Sequence, residues 1–355
     1  MKRRKIKERF AALAAAAAVL MCAAGCGNNG GKDPAQTTAS SSSQEETKAP
    51  VKVTLPPVTT TSGTGEETPL LGEDLPYKPA MWKATSPDGT EMYMMGSMHA
   101  LNDTCYPLPD YITEAYEQSD VLAVECDITE MLSGYSVQLR YASKMTYPEG
   151  ESITDHLSEN TWENLTDYFG YYDIDPEKYE NTAAWVIYSS IQTYSLKDTG
   201  LTADKGIDRY LIEKAKEDSK EVYEIESVDS QLKMLMDFPD ELYDHLLSSY
   251  NSQTAPLLRD QNIELFEAWK TGDVEWIEAN AETELESADK EHKAMMEDFY
   301  KAMHYDRNAH MASDAEELVK SGKKPFIVVG LAHYLGDKGI IALLEKDGYK
   351  VERTA

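Results

Sequence analysis

After its first 25 residues the sequence has no apolar run fit to cross a bilayer. The one conspicuous run, Phe10 to Met21, is about 12 residues against the roughly 20 a spanning helix needs. Cysteine is scarce: Cys22 and Cys26 fall in the leader region, leaving only Cys105 and Cys126 in the body. Two cysteines without a spacing pattern exclude a disulfide framework and a metal knuckle, while export would permit one bridge, so their pairing stays open. Positive charge is also short, with 34 Lys and Arg against 63 Asp and Glu and a net charge of −29, which excludes nucleic acid as a partner. Residues 27 to 75 contain no aromatic side chain at all. No His-Glu-x-x-His, Gly-x-Ser-x-Gly or Walker phosphate loop occurs, and no tandem repeat of fixed period.

What is present at the start is a targeting pattern. Lys2, Arg3, Arg4, Lys5, Lys7 and Arg9 form a basic stretch, the apolar run follows, and Ala23, Ala24 and Gly25 precede Cys26. Residues 1 to 25 therefore read as a signal peptide, and small residues directly before a cysteine resemble the lipobox of bacterial lipoproteins. Lipidation of Cys26 would hold the chain on the outer face of a membrane, each buried methylene contributing about 0.8 kcal/mol; a plain secretory signal is the alternative. Removing the leader leaves 28 basic against 62 acidic residues, a net of −34. From Cys26 to residue 75, Gly, Ser, Thr, Pro, Gln and Glu dominate and cannot bury enough apolar surface to offset ordering. That stretch reads as a tether reaching roughly 35 to 45 Å. Every Trp and Tyr lies from Tyr77 onward, so the folded domain is placed at 76 to 355.

Within it, Met81 to Thr85 and Glu91 to Met95 predict a hairpin around Ser86-Pro87-Asp88-Gly89. A helix is expected from Asp110 to Gln118, with a buried strand from Val121 to Cys126. The stretch 129 to 200 is helical and tyrosine-rich, and its Tyr pairs read as core or surface filler. A helix from Gly206 to Lys216 leads to a strand at 221 to 225, and 227 to 320 is nearly all helical. The end supplies a strand from Phe326 to Val329, a helix from Asp337 to Lys346, and a last strand from Tyr349 to Glu352. Strands at both ends with helices between them predict an α/β fold whose mixed central sheet is built from both ends of the domain, with a large helical insertion.

One pattern occurs twice. Gly96-Ser-Met-His99 and Gly330-Leu-Ala-His333 each end an apolar strand with Gly-x-x-His. Twenty glycines and seven histidines supply roughly 0.4 such spacings by chance, so a second copy at a second strand end carries weight. Glycine permits the positive φ or close backbone approach needed where a strand turns. The histidines then stand at the carboxyl ends of the strands, where open α/β sheets place their crevice. Glu125, near the end of a third apolar strand, needs a partner or a metal if buried. Two imidazoles and a carboxylate suit a divalent transition metal, which lowers the pKa of bound water and polarises a carbonyl. The alternative is structural: His99 and His333 cap the sheet while Glu125 pairs with Arg307. His156, His245, His292, His304 and His310 lie in charge-rich stretches and read as surface or packing residues.

On these residues the chain resembles the TraB/GumN family, which includes bacterial pheromone-shutdown proteins and the animal Tiki proteases and is more distantly related to ChaN-like and erythromycin-esterase-like proteins. The matching blocks are Gly96-Ser-Met-His99 with Tyr106-Pro-Leu-Pro109 and Glu125; Gly206-Ile-Asp208 with Ile225-Glu226 and Gln231; and Arg307-Asn308 with Val328-Val-Gly330-Leu-Ala-His333. The resemblance implies a metal-dependent hydrolase site in which His99, His333 and Glu125 hold Mn, Co or Zn. It implies that Arg307 stabilises an oxyanion, that Asn308 fixes a histidine or the substrate, and that Glu226 is a ligand, base or structural partner. A peptidase acting on exported peptides or proteins is the expected function. A lipoprotein that captures a peptide, a metal or haem without turnover is the alternative.

Overall fold

The computed structural model describes residues 70–129 and 140–355. The leader, Cys26 and the tether up to residue 69 lie outside the described residues. No helix among the described residues is long and apolar enough to cross a membrane.

The chain opens with β1 (Met81–Thr85), β2 (Glu91–Ser97), α1 (Asp110–Gln118) and β3 (Val121–Val124). The insertion begins with α2 (Glu159–Tyr171) and α3 (Ala184–Ser195), after which α4 (Ile207–Glu217) and β4 (Glu221–Glu224) return to the sheet. Then come α5 (Val228–Asp237), α6 (Asp240–Leu247), α7 (Ala255–Thr271), α8 (Val274–Asn280), α9 (Thr283–Ser287) and α10 (Lys293–Tyr300). A π-helical turn (Lys301–Tyr305) joins α10 to α11 (Asp306–Lys320), and β5 (Pro325–Gly330), α12 (Ile340–Lys346) and β6 (Lys350–Arg353) finish the chain.

The six strands among the described residues form one sheet in the order β4-β3-β5-β2-β1-β6. The first four are mutually parallel, whereas β1 is antiparallel to both β2 and β6. The expected hairpin is present, and the two ends of the domain meet where Trp82 faces Arg353. The central strands β3 and β5 are buried almost throughout, as their unbroken apolar sequences require between two covered faces. At the edge, β4 leaves Glu221 and Glu224 exposed.

Most boundaries move by one or two residues, and three of the shifts bear on the site or the tether. β3 stops at Val124 rather than Cys126, because the next carboxylate, Glu125, turns inward to accept the Gly330 N–H at 2.8 Å. The final helix starts at Ile340 rather than Asp337, since the Gly339 N–H closes a turn onto the Gly336 carbonyl. Residues 70–75, tether by composition, lie against the domain: Asn102 donates to the Leu71 carbonyl at 2.9 Å, and Lys270 donates to that of Gly72 at 2.9 Å. Lys270 is 2% exposed and also bonds both oxygens of Thr104, so its ammonium meets three oxygen acceptors while burial pushes its pKa down. Cys105 and Cys126 are both buried and free, which answers the question of a bridge.

The tyrosine-rich part of the insertion is core. Tyr168, Phe169, Tyr172, Tyr179 and Tyr194 pack on one another, with Phe169 stacked on Tyr179 at 4.8 Å and the Tyr179 and Tyr194 hydroxyls hydrogen-bonded. The insertion reaches the sheet through Trp269 on α7, whose indole N–H donates to the Gly96 carbonyl at 2.9 Å.

Candidate functional site

Four parallel strands run in one direction, so their carboxyl ends lie at one rim of the sheet. His99 follows β2, Glu125 follows β3, Glu226 follows β4 and His333 follows β5. The glycines of the two Gly-x-x-His motifs serve close approach rather than positive φ. A Cβ on Gly96 would stand 2.3 Å from a Leu331 methyl, so only glycine lets the two motifs pack together. A Cβ on Gly330 would lie 3.3 Å from Glu125 Oε1, 3.4 Å from the His333 ring and 4.0 Å from His99 Nε2. Three residues far apart in the chain thus border one small space.

Arg307 and Asn308 enter from the first turn of α11. The guanidinium donates from Nη2 to Glu125 at 2.7 Å and to Glu226 at 2.8 Å, from Nε to Glu226 at 2.8 Å, and from Nη1 to the Met303 carbonyl at 3.2 Å. Gln231 on α5 adds N–H donors to Glu226 at 2.7 Å and to Glu125 at 3.3 Å. The Arg307–Glu125 pair read as the structural alternative is therefore present inside the site itself.

Each motif histidine is fixed through Nδ1. His99 Nδ1 lies 2.8 Å from Asp208, and His333 Nδ1 lies 2.6 Å from the Asn308 amide oxygen. Because that oxygen only accepts, Nδ1 of His333 carries the proton and Nε2 keeps a lone pair. This Nε2 is buried without a hydrogen-bond partner among the described residues, 3.9 Å from Glu125 Oε1. Burial opposes a charge on His99, but the Asp208 carboxylate, with Glu125 behind it, outweighs burial and pushes its pKa up to about 9. Burial and the Arg307 charge together hold His333 well below the ordinary histidine value. Glu125, despite its burial, is held below the usual carboxylate range by Arg307, then by the two histidines and the Gly330 N–H.

All six residues expected at the site, His99, Glu125, Glu226, Arg307, Asn308 and His333, are brought together. Three further members had no assigned role. Asp208 and Gln231 sit inside matching blocks but become partners of His99 and the glutamates only through the fold. His304, read as a surface or packing residue, does pack, stacked on Tyr300 at 5.4 Å, and its ring also lies 5.7 Å from that of His333; burial and Arg307 push its pKa down to about 4. The signal was its separation of three and four residues from Arg307 and Asn308, which places all three on one helix face.

The donor chemistry fits a divalent metal. Two imidazoles can present Nε2 to one space while their Nδ1 atoms are anchored by Asp208 and Asn308, the backing that metal-binding histidines receive. Among the described residues, however, no group of three His, Cys, Asp or Glu side chains is drawn close enough to hold an ion as it stands.

The profile of the TraB/PrgY/gumN family matches residues 80–353, nearly all of the described domain. The chain belongs to this family. Its site residues all fall inside the family match. Among curated proteins it is similar to "Uncharacterized protein YbaP" of Escherichia coli (strain K12) and to the protein of the same name from Shigella flexneri. Each is 27% identical over 156 residues, 44% of this chain and 56% of the relative. The match thus spans little more than half the length of these relatives. No solved structure matches the chain.

Proposed function

We propose that this family member is a metal-dependent hydrolase acting on peptides or proteins outside the cell membrane, to which lipidated Cys26 would tether it. The observation that carries the reading is a charge imbalance. The side chains of Asp208, Glu125 and Glu226 are 7%, 8% and 9% exposed, and the one enclosed guanidinium, Arg307, is 7% exposed. With neutral imidazoles, such a cluster holds an excess of two negative charges, which is costly away from water unless compensated. The protein alone can lessen it by protonating His99; a divalent cation held by His99, His333 and Glu125 would cancel it. When bound, Mn, Co or Zn would activate water and polarise a carbonyl.

The chain's own residues divide the remaining work. Asp208 and Asn308 aim the two imidazoles. Arg307 is occupied by Glu125 and Glu226, so its help to a developing oxyanion comes through its field rather than a free N–H. Glu125 Oε1 is the carboxylate atom nearest the unpartnered His333 nitrogen and is placed to accept a proton there, as a weak base that passes it on. Beside Glu226 a cleft of about 550 Å³, lined by Ile225, Ser230, Met234 and His310 among others, adjoins edge strand β4. An exposed strand edge beside a cleft is a surface on which an extended peptide can lie. The complete pairing of Arg307 favours the second reading, a lipoprotein that binds peptide, metal or haem without turnover.

Incubation of the full chain with a peptide library, followed by mass spectrometry, separates the two. The hydrolase reading expects cleavage that chelator abolishes and Mn, Co or Zn restores, and that is lost in His99→Ala. Peptide, metal or haem retained with no cleavage under any metal would leave the binder.

A further inference from the structure

His304 occupies the π-helical turn between α10 and α11, and wide turns of this kind recur at functional sites. Its ring stacks on Tyr300 at 5.4 Å and tilts 40° from that of His333 at 5.7 Å. Among the described residues neither of its nitrogens has a hydrogen-bond partner, although protein encloses most of the ring. Glu125 is differently placed: one oxygen accepts from Arg307 and Gln231 and the other from the Gly330 N–H. Of the side chains around the space in front of Gly330, the carboxylate is already engaged, and a third imidazole with uncommitted nitrogens stands beside His333.

Two imidazoles sharing one ion at metal–nitrogen distances of about 2.0–2.1 Å in tetrahedral arrangement have ring centres roughly 5 Å apart. The 5.7 Å between His304 and His333 is close to that spacing. We propose that His304 is a third imidazole donor, so that His99, His333 and His304 hold the metal while Glu125 and Arg307 stand behind them as a charge-balancing pair. The inference rests on the metal-dependent reading of the site and puts His304 in the ligand place which that reading gave to Glu125. It requires the His304 ring to swing inward from its stack on Tyr300, a movement within the side chain and the wide turn that carries it.

Cobalt(II) titration of the full chain, followed by visible absorption, tests the assignment. His304→Phe keeps an aromatic ring for the stack on Tyr300 and removes both nitrogens; His304→Gln is a second variant should the first fold poorly; His156→Ala, whose ring is held by Asp240 and Glu151 apart from the site residues, is the control. A partner one step removed from a metal typically contributes 10- to 100-fold in affinity, so loss of a direct ligand is expected to weaken cobalt binding at least tenfold. The ligand-field bands should also shift and weaken in both His304 variants, with His156→Ala unchanged. Wild-type affinity and spectrum in a folded His304 variant would overturn the third-ligand assignment alone. No uptake by the wild type would overturn the assignment together with the metal reading beneath it.

Discussion

The two Gly-x-x-His arms are built alike and charged differently. Each leaves the carboxyl end of a parallel strand, each packs its glycine against a neighbour, and each fixes its histidine through Nδ1. The first arm is backed by Asp208, an anion, and its imidazole is pushed up to about 9. The second is backed by Asn308, which is neutral, and its imidazole stays unprotonated beside Arg307. A motif read from spacing alone gives two equivalent histidines. The partner contributed by another helix makes one a proton carrier in the metal-free protein and the other a standing lone pair.

The largest blow to both arms at once is removal of the charge they share. Arg307→Met leaves Glu125 and Glu226 enclosed without their cation and is expected to cost about 3–5 kcal/mol of stability, read by urea unfolding with tryptophan fluorescence. A loss below about 1 kcal/mol would mean that water already reaches those carboxylates.

Exchanging the partners sharpens the contrast. Asp208→Asn should lower the His99 pKa from about 9, because Glu125 alone then opposes burial and the Arg307 charge, and Asn308→Asp should raise that of His333. Imidazole NMR titrations of the metal-free protein measure both; a His99 pKa unmoved by Asp208→Asn would show that its proton is held elsewhere.

The arms should also fail at opposite ends of the pH scale in the absence of metal. His99 has a raised folded-state pKa, so the stability it contributes is full below about 6.5, the unfolded value, and is lost as pH rises through about 9. His333 and His304 have lowered values, so their contribution is full above about 6.5 and falls as the solution is acidified. Melting temperatures across pH in chelator should show both limbs, and His99→Gln should flatten only the alkaline one. The smallest effect belongs to Trp269→Phe, which removes the hydrogen bond to Gly96 for about 1 kcal/mol and should move the first arm while leaving His333 unperturbed.

Much of this was legible because it depends on short range. Apolar strands and the Ser86-Pro87-Asp88-Gly89 turn specify the sheet locally, and a Gly-x-x-His at a strand end must put its histidine at the rim. Glu125 stood out because a carboxylate beside four buried apolar residues needs a partner. The difference between the arms was hidden, since Asp208 lies 109 residues from His99 and meets it only through packing of α4. His304 carried one signal, its spacing from Arg307 and Asn308, but the π-helical turn that widens its position has no sequence signal of its own. Leu71 and Gly72 looked like tether because the stretch from Cys26 to residue 75 is dominated by polar and flexible residues, yet the buried ammonium of Lys270 holds the Gly72 carbonyl.

The central claim is that an enclosed excess of negative charge, lessened by a proton on His99 in the metal-free protein, is the place of a divalent cation. Calorimetric titration of the full chain with cobalt(II) at pH 7, repeated in buffers of different ionisation enthalpy, tests it most directly. The account predicts one saturable site whose binding displaces about one proton, since a histidine must be neutral to ligate, and loss of that proton release in Asp208→Asn. Saturable binding with no buffer dependence, or no binding at all, would contradict it.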